Sequence, residues 1–539
     1  ELQFHERGTA MKEAFINAKI FTSCKDRPYA DSMLVENGTI CWIGKQADMP
    51  AFDGPVNDLH GRRVLPGFVD AHMHPIILAD CAQKISCLPP NVHSISELIE
   101  KIRQRAQETA PGEWIMGWGY DEEKFAEHRA PNRWDLDKAS TAHPIEMMRS
   151  CSHTVSVNSK ALKMAGITKD TPDPVGGEIE RDAAGEPTGI LRENARHLLS
   201  GILPVKSREQ RINEIVQLGE MLCKQGIVAA MDLGNLSTSD DYYEDYLEAA
   251  KHGFRQELGI YYMWDMIRQN PDFRWTEDKA IRSQQIHRSG IKLLADGSVG
   301  GRTAWMSEPY AGSSDECGIS VCTDEELDSA ILFCKEHKCQ LAVHAMGMCA
   351  IDRVMLRASK EAPWMSIPPH IRVEHVTDPS ERAITLAREH GIAFCTQLIF
   401  LYSEIESYRR NLGDEWIKRT YPLPRMLDAG IQTALSTDAP ATSWASPSDP
   451  FPNIKCAVTR KAYDGSDCGA KQRVSAATAI ELYTREAAQI CGFEGIGQLR
   501  SGYKASFIVL SDDILAIDPE KIDTIRVEKT YINGICVFG

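Results

Sequence analysis

The 539-residue sequence predicts a (β/α)8 TIM barrel with a small β-sandwich built from both chain termini and a lobe inserted after barrel strand 1. Three observations predict it. Strand-like apolar runs alternate with helix-like stretches through the middle of the chain. Both ends carry short β-rich runs joined by Asn-Gly turns. One gap between successive strand runs is far too long for a single helix.

The terminal elements come first. Residues 14–21, 32–36 and 39–44 are rich in β-branched and aromatic side chains, and Asn37-Gly38 joins the last two. Asn-Gly is a strong hairpin signal because both residues tolerate a positive φ. Residues 505–510, 525–532 and 535–538 repeat the style, with Asn533-Gly534 as the last turn. Residues 11–65 and 495–539 are therefore expected to form one β-domain. The glycine-rich string at 495–502 precedes a strand rather than a helix, so it reads as a turn re-entering that domain, not as a phosphate loop. Residues 1–10 read as a tail derived from an expression vector, with Met11 as the natural start.

Residues 66–494 supply the barrel. After the apolar run that ends at His72 and His74, strand-like runs fall at 227–231, 257–263, 291–294, 341–343, 371–373, 392–395 and 431–435. Helix-like stretches such as 324–337 and 379–390 separate them. Eight strand–helix units predict closure of a parallel sheet into a barrel. The stretch between His74 and Ile227 must hold an insertion, about residues 85–205. Its turn signals, such as Thr171-Pro-Asp-Pro174, predict a partly β, partly irregular lobe near the barrel mouth.

Composition narrows the function class. Hydrophobic residues make up 43% of the chain, enough for a large core, and the net charge is −16. That balance argues against nucleic-acid and anionic-membrane partners, which reward basic surfaces. No apolar stretch approaches the roughly 18–20 residues a membrane span needs. Sixteen cysteines are spaced singly, without a Cys-x-x-Cys pair. They read as reduced thiols of a cytoplasmic protein rather than as a zinc finger or a disulfide framework. The expected partner is a small-molecule substrate, and the expected assembly a homodimer.

The candidate chemistry lies at the strand ends. In an extended strand residues two apart share a face, so His72 and His74 aim two imidazoles at one point. Lys292 lies in the run at 291–294, His344 follows 341–343, His375 follows 371–374, and Asp438 follows 434–437. Barrel strands converge at their C-terminal ends, which brings such residues together. Each alone is more often a satisfied core or surface group. Together, four His and one Asp suit Zn²⁺, with Mn²⁺ or Fe²⁺ also compatible. Trp118, Tyr120, His153, Asp296 and Arg302 sit near predicted mouth loops. They are candidate substrate contacts, with packing of the inserted lobe as the alternative.

The order His-x-His, Lys, His, His, Asp is similar to that of the amidohydrolase superfamily. More closely, the chain resembles the amidohydrolase family 3 branch, which includes N-substituted formamide deformylases. The matching stretches are 65–74, Asn158-Ser-Lys-Ala-Leu162, 291–298, Val343-His-Ala-Met-Gly347, Arg372-Val-Glu-His375, Ser436-Thr-Asp-Ala-Pro440 and Asp449-Pro-Phe451. One departure is Met348, where relatives often carry Asp. The resemblance implies His72, His74, Lys292, His344, His375 and Asp438 as site residues around one or two zinc ions per chain. Lys292 would be carboxylated to bridge two metals, or remain a plain amine beside one. The expected activity is hydrolysis of a C–N bond (amide, N-formyl or cyclic amide) by a metal-activated hydroxide, with Asp438 as the acid–base group. Two alternatives stay open: the same metal site running ester hydrolysis, decarboxylation or isomerisation, and a catalytically silent ligand-binding regulator.

Overall fold

The computed structural model describes residues 12–150, 154–235, 241–367 and 369–539. Internal packing divides the chain into two compact units: Glu1–His74 with Val216–Ala439 and Ser448–Gly539, and Pro75–Ile215 with Pro440–Pro447.

The first unit contains an eight-stranded parallel sheet of β1 (Phe68–Met73), β2 (Ile227–Asn235), β3 (Glu257–Met263), β4 (Ile286–Leu294), β5 (Gln340–Ala345), β6 (Ile371–His375), β7 (Ala393–Thr396) and β8 (Thr433–Leu435). Each strand pairs with its neighbour in sequence. Closure comes just past the strand ends. The Asp438 N–H donates to the His72 carbonyl at 2.8 Å, and the His74 N–H to that of Ala439 at 2.8 Å. The barrel therefore closes through the residues that carry the candidate chemistry.

Helices fill the crossovers. Asp324–His337 begins with a capping box between Thr323 and Glu326, which fixes its start where the sequence places it. The helix expected from residue 379 runs Glu381–His390, because the Ser380 hydroxyl caps it by accepting from the Ala383 N–H. Inside the barrel, Ala71, Ala229, Ala342, Ala393 and Ala434 share one buried cluster with Met231 and Tyr261. Small residues make room there for long side chains on neighbouring strands.

Two further sheets use both chain ends. A four-stranded sheet orders Thr39–Gly44, Ser32–Glu36, Lys12–Ile16 and Val56–Asp58. A six-stranded sheet orders Ile535–Phe538, Val527–Ile532, Phe507–Leu510, Arg63–Pro66, Lys19–Phe21 and Tyr29–Ala30. Phe507–Leu510 runs antiparallel to Arg63–Pro66, so a C-terminal strand completes an N-terminal one. Phe15 from the first sheet meets Phe507 and Tyr531 of the second edge-on, at 5.0 and 5.2 Å between ring centroids. Both hairpin turns form as their residues dictate: Asn37 and Gly38 have φ of 50° and 76°, Asn533 and Gly534 of 50° and 75°. Residues 14–21 depart from expectation. They form two strands, Lys12–Ile16 and Lys19–Phe21, because Asn17 turns the chain at φ 52° between them.

The second unit is built on a six-stranded sheet of Gly177–Arg181, Pro187–Glu193, Thr154–Val157, Ile145–Arg149, Ile115–Tyr120 and Ile85–Ser86. Helix Ile95–Glu108 buries Ile95, Leu98, Ile99 and Ile102, a single helical face, in a core with Ile115, Ile145 and Met147. Asn158 caps helix Ser159–Ala165 through the Ala161 N–H, and its amide donates to the Ser140 and His143 carbonyls.

Removing the C-terminal strands would leave Arg63–Pro66 as a bare sheet edge. A chain truncated after Gly495 should therefore be insoluble on expression. Soluble, monodisperse protein by size-exclusion chromatography would contradict the pairing of the two ends.

Candidate metal centre

His72 lies in β1 and His74 one residue beyond it, Lys292 in β4, His344 in β5, His375 at the end of β6 and Asp438 three residues past β8. The Asp438 carboxylate joins three of the histidines. Its Oδ1 lies 3.0 Å from His74 Nε2 and 3.2 Å from His72 Nε2, and its Oδ2 lies 3.9 Å from His375 Nδ1. His72, His375 and Asp438 each offer a ligand atom within 4.8 Å of the others. The His344 ring packs on that of His375, 4.3 Å between centroids, and the His375 ring is 5.0 Å from that of His72. Lys292 is 2% exposed, and its Nζ has no hydrogen-bond partner among the described residues.

A ring of polar contacts orients these groups. His72 Nδ1 is 2.7 Å from Glu374 Oε2. Glu374 is held in turn by Arg372, whose Nε donates to Oε1 at 2.5 Å and whose second guanidinium nitrogen donates to Oε2 at 3.1 Å. The same nitrogen donates to the Ala71 carbonyl at 2.6 Å. His375 Nδ1 is 2.8 Å from Gln397 Oε1, and His344 Nε2 is 2.8 Å from the Gly297 carbonyl. Asp70 receives the His72 and Thr437 N–H groups on Oδ1 and the Thr437 hydroxyl on Oδ2, linking the ends of β1 and β8. Such outer contacts fix which imidazole nitrogen faces a metal.

The backbone is strained here. His375, Val376 and Asp438 have φ of 75°, 46° and 57°, a region costing about 1–3 kcal/mol for residues with a Cβ. The strain is held by bonds at the same points: the Thr396 hydroxyl donates to the His375 carbonyl, and the Asp438 N–H to that of His72.

Burial and neighbouring charge set the protonation states. Burial lowers His344 to about 4, with Lys292 adding to the effect. Burial and His344 hold His375 well below the ordinary imidazole value. Both rings are thus neutral donors near neutral pH. Burial pushes the Lys292 amine down to about 8, against the pull of Glu374 and Asp438. Burial alone would raise Asp438, but His72, His74 and His375 outweigh it and hold the carboxyl well below its usual range. For Glu374, Arg372 and His72 likewise outweigh burial and lower it. Neutral imidazoles, an ionised carboxylate and a buried amine without a partner form a donor set that fits a divalent cation.

The weaker candidates have differing surroundings. Trp118 packs with Cys81 and Leu88 in the second unit, and the buried Tyr120 accepts from the Ser156 hydroxyl there. His153 lies outside the described residues. Arg302 is engaged by Glu316, at 2.6 and 2.9 Å. Asp296 is buried, and its carboxylate accepts backbone N–H groups. Sequence reasoning missed Arg372, Glu374, Gln397 and Asp70. A usable signal was present for the first two: opposite charges two residues apart in a buried strand share a face and need each other.

A parallel barrel that gathers imidazoles, a lysine and a carboxylate at its strand ends presents a candidate metal-binding site. The sequence profile of the amidohydrolase family matches residues 56–538, and the chain belongs to that family. It is 29% identical to the Bacillus subtilis protein YtcJ, with 98% of this chain and 99% of the relative aligned. It is 27% identical to an N-substituted formamide deformylase of Arthrobacter pascens, with 98% of each covered. A solved metal-dependent hydrolase from Pyrococcus horikoshii OT3 superposes with a TM-score of 0.72 at 22% identity, over 94% of this chain and 99% of that one.

Replacing Glu374 by Gln would leave the Arg372 charge buried and uncompensated. Breaking a buried pair in this way costs about 3–5 kcal/mol. Urea unfolding should show a free energy lower by that amount, seen as a lower midpoint at an unchanged slope. A loss under about 1 kcal/mol would show that the pair is not held as described.

Proposed function

We propose that this chain is a zinc-dependent hydrolase that opens the C–N bond of a small amide, N-formyl or cyclic amide compound. The observation that carries the reading is the contact of Asp438 Oδ1 with both His72 and His74, at the end where the strands converge. His72, His74, His344, His375, Asp438 and Lys292 would hold the metal. Bound there, it acts as a Lewis acid that acidifies water and polarises the substrate carbonyl.

The chain's own groups move the proton. Asp438 is ionised and buried against imidazoles, so its free oxygen can accept the proton of an attacking water. It then returns that proton to the amine nitrogen as the C–N bond breaks, since an unprotonated amide nitrogen is a poor leaving group. An alkoxide is a far weaker base than an amide anion and depends less on this proton return, so a group placed to supply it suits a C–N bond. Family membership and the full-length likeness to a formamide deformylase support this choice.

Lys292 fits a carbamate. Its buried amine is pushed towards the neutral form and has no hydrogen-bond partner among the described residues. Adding CO₂ would form an Nζ–C bond, release one N–H proton and create an anionic ligand with two oxygens. That supports a two-metal site. The free, mostly buried cysteines among the described residues support a reducing compartment, the cytoplasm.

Two measurements test the reading. Asp438→Asn should retain metal and fold yet lose turnover by about 10²–10⁴-fold in a screen of N-formyl, N-acyl and cyclic amides. Near-normal turnover would place the proton transfer elsewhere. Intact mass under CO₂-saturated native conditions should find the chain heavier by one carbon dioxide, and Lys292→Ala should lack the gain. An unmodified wild-type mass with one metal bound would reduce the site to a mononuclear one.

A further inference from the structure

Asp296 is 2% exposed and follows β4. Its Oδ1 accepts from the Met346 N–H at 2.9 Å. Its Oδ2 accepts from the Trp305 N–H at 2.9 Å and the Gly347 N–H at 2.8 Å. One carboxylate therefore takes three backbone donors from two segments: Trp305 from the loop after β4, and Met346-Gly347 from the turn after β5. Gly347 allows the approach, since a Cβ there would lie 2.2 Å from the Trp305 carbonyl oxygen.

His344 stands between these segments. Its Nε2 is 2.8 Å from the Gly297 carbonyl and 3.5 Å from Asp296 Oδ1, and its own carbonyl accepts from the Ala295 N–H at 2.9 Å. A carbonyl can only accept, so His344 Nε2 carries the proton and Nδ1 keeps the free lone pair.

We propose that Asp296 is a positioning residue for His344: by clamping the β4 loop to the β5 turn, it keeps the Gly297 carbonyl on Nε2 and so directs Nδ1 at the metal. The assignment rests on the reading of His344 as a metal ligand. It differs from a substrate contact, because both oxygens of Asp296 are taken by backbone donors.

The test compares metal affinity and kinetics in the holoenzyme. Asn offers one acceptor oxygen for three N–H groups, so Asp296→Asn should loosen the clamp. Zinc affinity, measured by chelator competition, should fall about 10–100-fold, while KM at saturating zinc stays at the wild-type value. Thr530→Val, which removes a buried bond to the Cys223 carbonyl in the terminal sheet, serves as a stability control and should leave zinc affinity intact. A raised KM with wild-type zinc affinity would make Asp296 a substrate contact and overturn the proposal. Unchanged affinity and KM would overturn it as well. Absence of zinc binding by the wild type would instead sink the metal-centre reading beneath it. Should Asp296→Asn fail to fold, ¹⁵N NMR of the metal-free, histidine-labelled wild type decides. His344 protonated on Nε2 supports the clamp, and a proton on Nδ1 overturns it.

Discussion

The ion pair of Arg372 and Glu374 is the interaction on which the barrel interior depends. Both side chains are fully buried. Two charges so far from water carry a desolvation penalty of several kcal/mol each, so they persist only with close geometry and every remaining hydrogen-bonding site engaged. The structure supplies close geometry and a partner for each guanidinium nitrogen, the third reaching Cys491 Sγ at 3.6 Å. The guanidinium grips both carboxylate oxygens and the Ala71 carbonyl, and the free side of Glu374 faces His72 Nδ1. The pair thereby ties β6 to β1 across the barrel. It also fixes the first histidine of the site, since the nitrogen bound to Glu374 cannot face a metal. The row of interior alanines follows from the same need, because a guanidinium in a barrel core requires small neighbours.

Above this pair, the site is assembled from separate strands that meet only at their ends. Each histidine is steadied by a different kind of acceptor: a carboxylate for His72, an amide oxygen for His375 and a backbone carbonyl for His344. The strained φ values at His375, Val376 and Asp438 lie where the chain must turn side chains inward just as the strand pairing stops. Burial keeps two imidazoles neutral, and the Lys292 amine has no partner among the described residues. A cation brought into this setting meets donors that are already desolvated and oriented, which lowers the reorganisation that binding requires.

The periodic part of this design was legible in the sequence. Two-residue spacing placed His72 and His74 on one face, and the strand–helix alternation gave the barrel and the order of its candidate ligands. The Asn-Gly pairs gave both terminal hairpins because those residues accept positive φ wherever they occur. What the sequence hid were relations between distant residues. The two-residue spacing of Arg372 and Glu374 could be read as a buried pair, but the contact of Glu374 with His72 comes only from the fold. Asp296 sits in a loop motif and reads as a substrate contact, yet burial turns it towards backbone donors. Trp118 and Tyr120 look like mouth aromatics, and their surroundings in the second unit are packing contacts. Asn17 shows the reverse error: the run at 14–21 is continuous in composition, and one positive φ divides it.

Metal binding at these strand ends can be read from anomalous diffraction at the zinc edge, with crystals of protein purified without chelator. The expected result is a peak bonded to His72, His375 and Asp438 at about 2.0–2.2 Å. Hydrolytically active crystals with no anomalous peak among those residues would contradict it.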